Sequence, residues 1–184
     1  MPTEFGVTFF PRPQRFRSGS EQVKCTRYVT PMQVIHCTEA NIDSLAQLFN
    51  EYRIFYEQED NVPASRAFIQ QNLAQGRSRI FLLLDDAGAP IGFSQLYPAI
   101  CSLAMKPYYY LSDLYVVPSA RKNGHARYLM DYITDLCRKE GAQRLTLDTA
   151  RTNKIAQSLY ESLGYEREDV YITNVVKARP PKNR

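Results

Sequence analysis

Hydrophobic positions along the chain alternate between the period of a strand and the period of a helix. Residues 32–37 alternate like a strand, and from Asn41 onward apolar side chains recur every three or four positions. A second helix is predicted between Pro63 and Gly76, because proline suits a first helical turn and glycine suits its end. The face of this second helix predicted to point inward consists of Phe68, Ile69 and Leu73.

Three β-rich segments and a second set of helices follow. The predicted strands and helices are residues 79–84 (strand), 91–97 (strand), 108–117 (strand), 124–140 (helix), 145–149 (strand), 154–163 (helix) and 170–177 (strand). In the helix over 154–163, Ile155, Leu159 and Leu163 are predicted to face the core. The order β-α-α-β-β-β-α-β-α-β predicts an α+β domain with a single core.

Both ends of the chain differ in character from the middle. Residues 1–31 mix aromatics, prolines and arginines without periodicity and are predicted to form an extended arm, and residues 178–184 form a basic tail. The folded domain is predicted over residues 32–177. The formal net charge is +4, but this middle part carries 15 basic against 17 acidic side chains. The basic charge therefore lies on the two ends, which does not favour a nucleic-acid-binding domain.

Composition excludes several other classes of protein. The 184 residues suffice for one domain, and no apolar run approaches the 18 or so residues of a membrane span. The N-terminus shows no secretory signal, so a cytoplasmic location is expected. The four cysteines are far apart and the two histidines lie at no ligand spacing from them, which predicts neither a disulfide framework nor a metal site.

The segment that follows the third β-rich run has the features of an anion-binding loop. A strand ending at Pro118 leads through a short loop with Gly124 into a long helix, whose N-terminus carries about half a positive charge. Small residues at 124 and 126 let the backbone approach an anion closely. Arg121, Lys122 and Arg127 are expected to add positive charge around it.

Two ordered motifs carry a family resemblance. Arg121-Lys-Asn-Gly124-His-Ala126 and Asn153-Lys-Ile-Ala156-Gln-Ser-Leu-Tyr160, followed by Gly164-Tyr165, resemble the two motifs of the GNAT superfamily of N-acetyltransferases. The resemblance implies a single α+β domain with a mixed central sheet of six to seven strands flanked by four helices. It also implies that two strands of this sheet splay apart at an acetyl-CoA site.

The resemblance further implies acetyl-CoA as the acetyl donor and assigns its contacts. The strand at Leu114, Tyr115 and Val116 would hydrogen-bond the pantetheine arm as a strand partner would. The diphosphate would be held, mostly by backbone, by Arg121, Lys122, Asn123, Gly124, His125, Ala126 and Arg127. Asn153 and Ala156 would lie against the cofactor arm, and Tyr160 would stand near its sulfur.

Two residues are candidates for the proton transfers of amine acetylation. Tyr160 can protonate the departing thiolate as a general acid, the alternative being a tyrosine that packs on the sheet. Asp113, a carboxylate in an apolar strand, can accept the proton of the amine. Its alternative is a charge solvated at a sheet edge or paired with an arginine. Spermidine/spermine and thialysine N-acetyltransferases, which this spacing resembles, carry Glu-Asp where this chain has Ser112-Asp113.

The acceptor side is predicted at the connection of the first two helices. Tyr56, Glu57 and Glu59 place carboxylates beside aromatic rings, a combination that suits a small cationic amine. A solvated acidic helix end is the alternative. The three tyrosines of residues 108–110 either line the same cleft or belong to the core.

The sequence thus predicts an acetyl-CoA-dependent N-acetyltransferase that acts on a primary amine in a ternary complex. The expected acceptor is a small molecule, such as a polyamine, an amino acid or an aminoglycoside. Alternatives are acetylation of a protein lysine or N-terminus, acyl-CoA binding without turnover, and a toxin directed at RNA. No membrane partner is expected, and a homodimer stays an open alternative.

Overall fold

The computed structural model describes residues 32–168. The predicted N-terminal arm, the strand predicted over 170–177 and the basic tail therefore lie outside the described residues.

The described chain follows the element order predicted from its periodicity. Its elements are β1 (Gln33–His36), α1 (Ile42–Phe55), α2 (Val62–Ala74), β2 (Arg79–Leu84), β3 (Pro90–Cys101), β4 (Lys106–Val116), α3 (His125–Lys139), β5 (Leu145–Leu147) and α4 (Lys154–Ser162). The main difference in bounds is β3, which continues to Cys101 and forms a long hairpin with β4. Among residues 32–168, no helix has the length and apolar character needed to cross a membrane.

The strands form one mixed sheet in the order β1-β2-β3-β4-β5. The first four are antiparallel neighbours, and β5 runs parallel to β4 at the edge of the described sheet. This part of the chain thus supplies five of the six to seven strands expected, and the last predicted strand falls outside it. The mixed sheet and its four helices confirm the predicted α+β architecture.

The core is divided between the two faces of the sheet. On one face, α1 and α2 pack on the sheet through Leu45 and Ile69 against Phe93. On the other face, α3 contributes Leu129, Met130 and Ile133, which are fully buried. The strong amphipathic pattern of α3 therefore fixes the helix against the sheet and so fixes the position of its N-terminus.

Two side chains predicted to face inward are exposed. Ile155 is 85% exposed, because it lies in the first turn of α4, where the helix has not yet met the sheet. Phe68 is 41% exposed, although its ring stacks on Phe49 with centroids 5.2 Å apart. Both lie at the margin of a helix face, where periodicity alone does not separate core from rim.

Candidate active site

β4 and β5 part from each other near the middle of β4. Their pairing runs from Tyr109 opposite Leu145 to Leu111 opposite Leu147 and then stops. On its other side β4 remains paired with β3 to Val116. The last five residues of β4 therefore have one strand partner, on the β3 side, among residues 32–168, and the opposite edge is open.

A β-bulge decides which backbone groups point to this open edge. Gln95 lies opposite Asp113 and Leu96 opposite Leu111, so that Ser112 is an extra residue in β4. Beyond the bulge, the Val117 N–H donates to the Ile91 carbonyl on the β3 side. Because neighbouring residues face opposite sides, the N–H and C=O groups of Leu114 and Val116 face the open edge.

The loop before α3 presents unpaired backbone donors. The N–H groups of residues 122–127 have no acceptor within the described chain, and the first helical hydrogen bond there joins the Tyr128 N–H to the Gly124 carbonyl. Gly124 adopts φ +80°, a left-handed conformation that favours glycine. A Cβ at this position would meet no atom within 4 Å. The loop thus offers open space beside a row of donors.

Two of the three basic side chains expected around the anion, Arg121 and Arg127, bond other parts of the protein, and so does the ring of His125. Arg121 donates from Nε to the Val116 carbonyl at 2.9 Å, and the His125 Nδ1 lies 2.8 Å from the Ala120 carbonyl. Arg127 bonds the Ser162 hydroxyl on α4. Lys122, at φ +65°, makes no hydrogen bond or salt bridge from its side chain within residues 32–168. The backbone N–H groups and the Lys122 side chain are therefore the donors of this loop that remain free among residues 32–168.

α4 is the next element in the chain after β5, and its N-terminus is capped by Asn153. The Asn153 side chain accepts a hydrogen bond from the Ala156 N–H at 3.2 Å, which caps the helix. This bond uses the Asn153 oxygen and leaves its amide NH₂ without a partner among the described residues. Asn153 fixes where α4 begins, and α4 in turn positions Tyr160.

Tyr160 is buried between α4 and the sheet. Its ring packs 5.9 Å from the ring of Tyr165. Burial, together with the neighbouring hydroxyls of Tyr56 and Tyr165, raises the pKa of Tyr160 to about 12. Among residues 32–168 its hydroxyl has no hydrogen-bond partner. Tyr160 therefore carries a proton at neutral pH and has no protein acceptor for it in the described chain.

Asp113 lies on the opposite face of the sheet, below α1. Burial raises the pKa of its carboxyl group, and hydrogen bonding from the Tyr52 and Ser112 hydroxyls acts in the lowering direction. Asp113 lies in the part of β4 that has an open edge, but its side chain is partly buried, and the described residues contain no salt bridge to it. Partial burial distinguishes Asp113 from a fully solvated carboxylate, and no arginine is paired with it among residues 32–168.

Several tyrosines surround this carboxylate. Burial is the main cause of the raised pKa values of Tyr52, Tyr97 and Tyr110, and the negative charge of Asp113 raises them further. Tyr110 also donates to Asp148 at 3.1 Å, across the point where β4 and β5 part. The sequence did not indicate the Tyr52–Asp113 or Tyr110–Asp148 pairs, because their partners lie far apart in the chain and come together only through the sheet.

The other two tyrosines of the predicted cleft lie away from it. The Tyr109 hydroxyl bonds Glu140 at 2.6 Å and Arg79 at 3.1 Å, in a network at the C-terminal end of α3. The ring of Tyr108 lies 4.9 Å from the guanidinium of Arg144. Only Tyr110 of the three belongs to the Asp113 cluster. Tyr109 points to the other face of the sheet because strand residues alternate, and Tyr108, on the same face as Tyr110, contacts Arg144 instead.

The predicted acceptor residues follow the end of α1. Tyr56, 48% exposed, contacts Tyr52 at a ring distance of 5.0 Å and is close enough to influence the pKa of Tyr160. Glu57 adopts φ +60° and, like Glu59, is exposed. The structure thus brings Tyr56 close to Tyr160 and to Tyr52, the neighbour of Asp113, and among the described residues neither glutamate contacts Asp113 or Tyr160.

Comparison with known proteins identifies the family to which this arrangement belongs. Residues 43–165 match the model of the acetyltransferase (GNAT) family. The chain belongs to the GNAT family. It is therefore an acyltransferase, and the resemblance seen in its two motifs is confirmed.

Three GNAT-related proteins illustrate the similarity. The chain is 38% identical over 141 residues to the uncharacterized N-acetyltransferase YhfO of Bacillus subtilis (strain 168), covering 77% of this chain and 94% of that protein. A crystal structure of a probable acetyltransferase superposes with a TM-score of 0.77 at 32% identity, covering 80% and 99% of the two chains. An aminoglycoside N-acetyltransferase solved with CoA has a TM-score of 0.63 at 20% identity, covering 82% and 95%.

The GNAT fold is associated with CoA, and no metal centre is visible in the part of this chain that the structure describes. The aminoglycoside enzyme above was solved in complex with CoA. Within residues 32–168, no group of three or more His, Cys, Asp or Glu side chains is placed to hold a metal ion.

Proposed function

We propose that this GNAT protein transfers the acetyl group of acetyl-CoA to a primary amine of a small molecule, by direct attack in a ternary complex. A polyamine, an amino acid or an aminoglycoside-like compound is the class of acceptor. One observation carries the proposal: β4 and β5 part beyond Leu111, Asp113 follows two residues later on the α1 face of the sheet, and Tyr160 packs on the other face with Tyr56 near it.

The residues around the divergence fit acetyl-CoA in two places. The unpaired N–H groups of residues 122–127, next to open space at Gly124, suit a diphosphate at a helix N-terminus. The open edge at Leu114 and Val116 suits an extended amide-bearing arm, which can hydrogen-bond like an added strand. Asn153 and Ala156 would lie on the far side of that arm.

When bound, acetyl-CoA supplies a thioester carbonyl for attack and a thiolate as leaving group. The Leu114 N–H faces the open edge and can donate to the carbonyl oxygen as negative charge develops there. This donor is fixed by the bulge and by the pairing of β4 with β3. It therefore needs little reorganisation during the reaction.

Asp113 would take the proton from the amine. An alkylammonium group loses its proton near pH 10, so a carboxylate is a weak base for it unless its own pKa is raised. Burial raises the pKa of the Asp113 carboxyl group. The Tyr52 hydroxyl orients the carboxylate, and the aromatic rings of Tyr52 and Tyr56 favour a cationic amine beside it.

Tyr160 would assist the departure of the thiolate. Its pKa of about 12 exceeds the value of about 8.5 for a free thiol by about 3.5 units, so complete proton transfer would be uphill by about 5 kcal/mol. Tyr160 therefore acts chiefly by donating a hydrogen bond to the sulfur as charge develops. The thiolate takes its final proton from water.

A panel of amines tests the proposal directly. The full chain is incubated with acetyl-CoA and with diamines, amino acids, aminoglycosides and lysine-containing or free-N-terminal peptides, and released CoA is measured with a thiol reagent. Acceptor-dependent release with at least one small amine supports the proposal. CoA release with peptides alone would transfer the function to protein acetylation, and binding without any release would indicate an acyl-CoA-binding protein.

A further inference from the structure

The side chain of Arg121 joins three parts of the molecule. Its Nε donates to the Val116 carbonyl at the end of β4, at 2.9 Å. Its guanidinium carbon lies 5.3 Å from the ring centroid of Phe55 and 5.5 Å from that of Tyr115. Arg121 thus connects the start of the loop before α3 with the end of β4 and the last turn of α1.

The two rings that hold the guanidinium are themselves fixed. Tyr115 is buried, and its hydroxyl donates to Glu51 on α1 at 3.2 Å. Phe55 is the last residue of α1, and its ring contacts that of Tyr56 at 5.2 Å. These side chains, with Ile54 and Pro118, line a cleft of about 370 Å³ beside Arg121. The guanidinium is therefore held between α1 and β4.

The carbonyl that Arg121 occupies is part of the open edge. Val116 and Leu114 both turn their backbone groups to the side left free by β5. With the Val116 carbonyl satisfied by Arg121, the free groups of this edge are the N–H and C=O of Leu114 and the N–H of Val116. Arg121 thus limits the positions at which an added strand can hydrogen-bond.

We propose that Arg121 is a positioning residue, which sets the open edge of β4 and the end of α1 for the pantetheine arm and does not bind the diphosphate by its charge. This inference rests on the proposed function, because it assumes that CoA binds along this edge. The inference assigns different residues to the two halves of CoA. Arg121 acts on the pantetheine half, and the backbone of residues 122–127 with Lys122 acts on the diphosphate half.

Two substitutions distinguish the hydrogen bond donated by Nε of Arg121 from an effect of its positive charge. In Arg121→Gln the amide nitrogen takes the position of Nε along the side chain and the charge is lost. In Arg121→Lys the charge is kept and a CH₂ group stands where Nε was. We expect Arg121→Lys to weaken CoA binding about tenfold and Arg121→Gln to weaken it less, in calorimetric titrations at one ionic strength.

A truncated ligand supplies the second readout. 3′-Phospho-ADP is the part of CoA without the pantetheine arm, so both Arg121 variants should bind it within about twofold of the parent. Lys122→Gln is the matched control and should weaken CoA and 3′-phospho-ADP alike. A general structural defect would affect both ligands and lower the thermal unfolding temperature, and so would not reproduce the selective loss.

Each remaining outcome has a definite meaning. Loss of both ligands in Arg121→Gln with retention in Arg121→Lys would make Arg121 a diphosphate ligand and overturn the inference, as would parental CoA binding in both variants. If Arg121→Lys does not fold, Phe55→Leu removes one ring from the guanidinium and should show the same selective loss of CoA. A parent chain that binds neither CoA nor 3′-phospho-ADP would overturn the proposed function itself.

Discussion

Burial acts on Tyr160 and Asp113 in the same direction but with different chemical results. It raises the pKa of the Tyr160 hydroxyl to about 12, which keeps the donor protonated throughout the range in which an amine reacts. It also raises the pKa of the Asp113 carboxyl, which makes the carboxylate a better base. The same desolvation thus keeps Tyr160 protonated as a hydrogen-bond donor and makes Asp113 a better proton acceptor.

Replacing Tyr160 with phenylalanine tests the donor. Tyr160→Phe keeps the ring that packs on Tyr165 and removes only the hydroxyl, so the fold and acetyl-CoA affinity should be retained. We expect kcat to fall by roughly 10²-fold, because the lost hydrogen bond strengthens as charge develops on sulfur. Tyr165→Phe is the control, since its hydroxyl bonds Thr134 at 2.9 Å. Equal kcat values for Tyr160→Phe and the parent would make Tyr160 a packing residue.

Replacing Asp113 with asparagine tests the base through pH. In the parent, kcat/KM should rise with pH as Asp113 ionises, and its raised pKa places this rise above the range of an ordinary aspartate. In Asp113→Asn that rise disappears, and activity should follow deprotonation of the free amine near pH 10. Asp148→Asn, which removes the neighbouring carboxylate bonded to Tyr110, should keep the parental rise. An unchanged profile in Asp113→Asn would exclude Asp113 as the base.

At the scale of elements, the decisive feature is the junction of the loop with α3. The amphipathic face of α3 is anchored by buried residues, so its N-terminal donors are held in one place relative to the open edge of β4. The proposed binding of the diphosphate here depends mainly on these backbone donors, with Lys122 adding charge. It also requires that nothing fill the space beside Gly124.

A substitution at Gly124 separates charge from conformation. Gly124→Glu places a carboxylate where the diphosphate is expected, so acetyl-CoA affinity should fall by well over tenfold, or more than about 1.4 kcal/mol. Gly124→Gln has the same size and the same strained φ of +80° without the charge, and it should lose less. Calorimetry on both folded variants measures the difference. Equal affinities for Gly124→Glu and the parent would contradict the assignment of the loop.

Local patterns predicted the elements and the loop, and their limits are physical. The period of apolar residues identified α3, and the motif from Arg121 to Ala126 identified the N–H donors, since both depend on neighbouring residues. The hydrogen-bond partners of the Arg121, His125 and Arg127 side chains could not be predicted. Each bonds a partner chosen by the folded backbone, and for Arg127 that partner is a different helix.

Long-range pairs were the other part that the sequence did not predict. Asp113 was identified as a candidate base from its apolar strand, whereas its partner Tyr52 lies on α1 and meets it only across the face of the sheet. The bulge at Ser112 likewise depends on the register of β3 against β4. This register could not be predicted from the sequence alone, because it depends on which residues of β3 and β4 pair in the folded sheet.

At the scale of the whole molecule, the sheet places the candidate base and the candidate donor on opposite faces. α1 and α2 cover the face that holds Asp113, and α3 and α4 cover the face from which Tyr160 approaches. The candidate site draws on residues from both faces, and every residue that we assign to it lies within residues 32–168. Its integrity should therefore not depend on the N-terminal arm.

Removal of residues 1–31 tests this independence. A chain beginning at Met32 should bind acetyl-CoA with parental affinity, because every residue assigned to the cofactor lies after residue 110. Calorimetry on the truncated and full chains provides the comparison, with circular dichroism as the check on folding. A folded but non-binding truncated chain would show that the domain boundary is wrong.

The separation of β4 from β5 also affects the protein when it is empty. A strand with an unpaired edge is a template on which another chain can add, and such edges are a common origin of aggregation. The geometry that we propose for binding of the pantetheine arm leaves the N–H and C=O of Leu114 and the N–H of Val116 without a partner among residues 32–168. Bound cofactor would complete the hydrogen bonding of these groups. A sufficient concentration of CoA would therefore stabilise the folded protein and protect this edge from pairing with another chain.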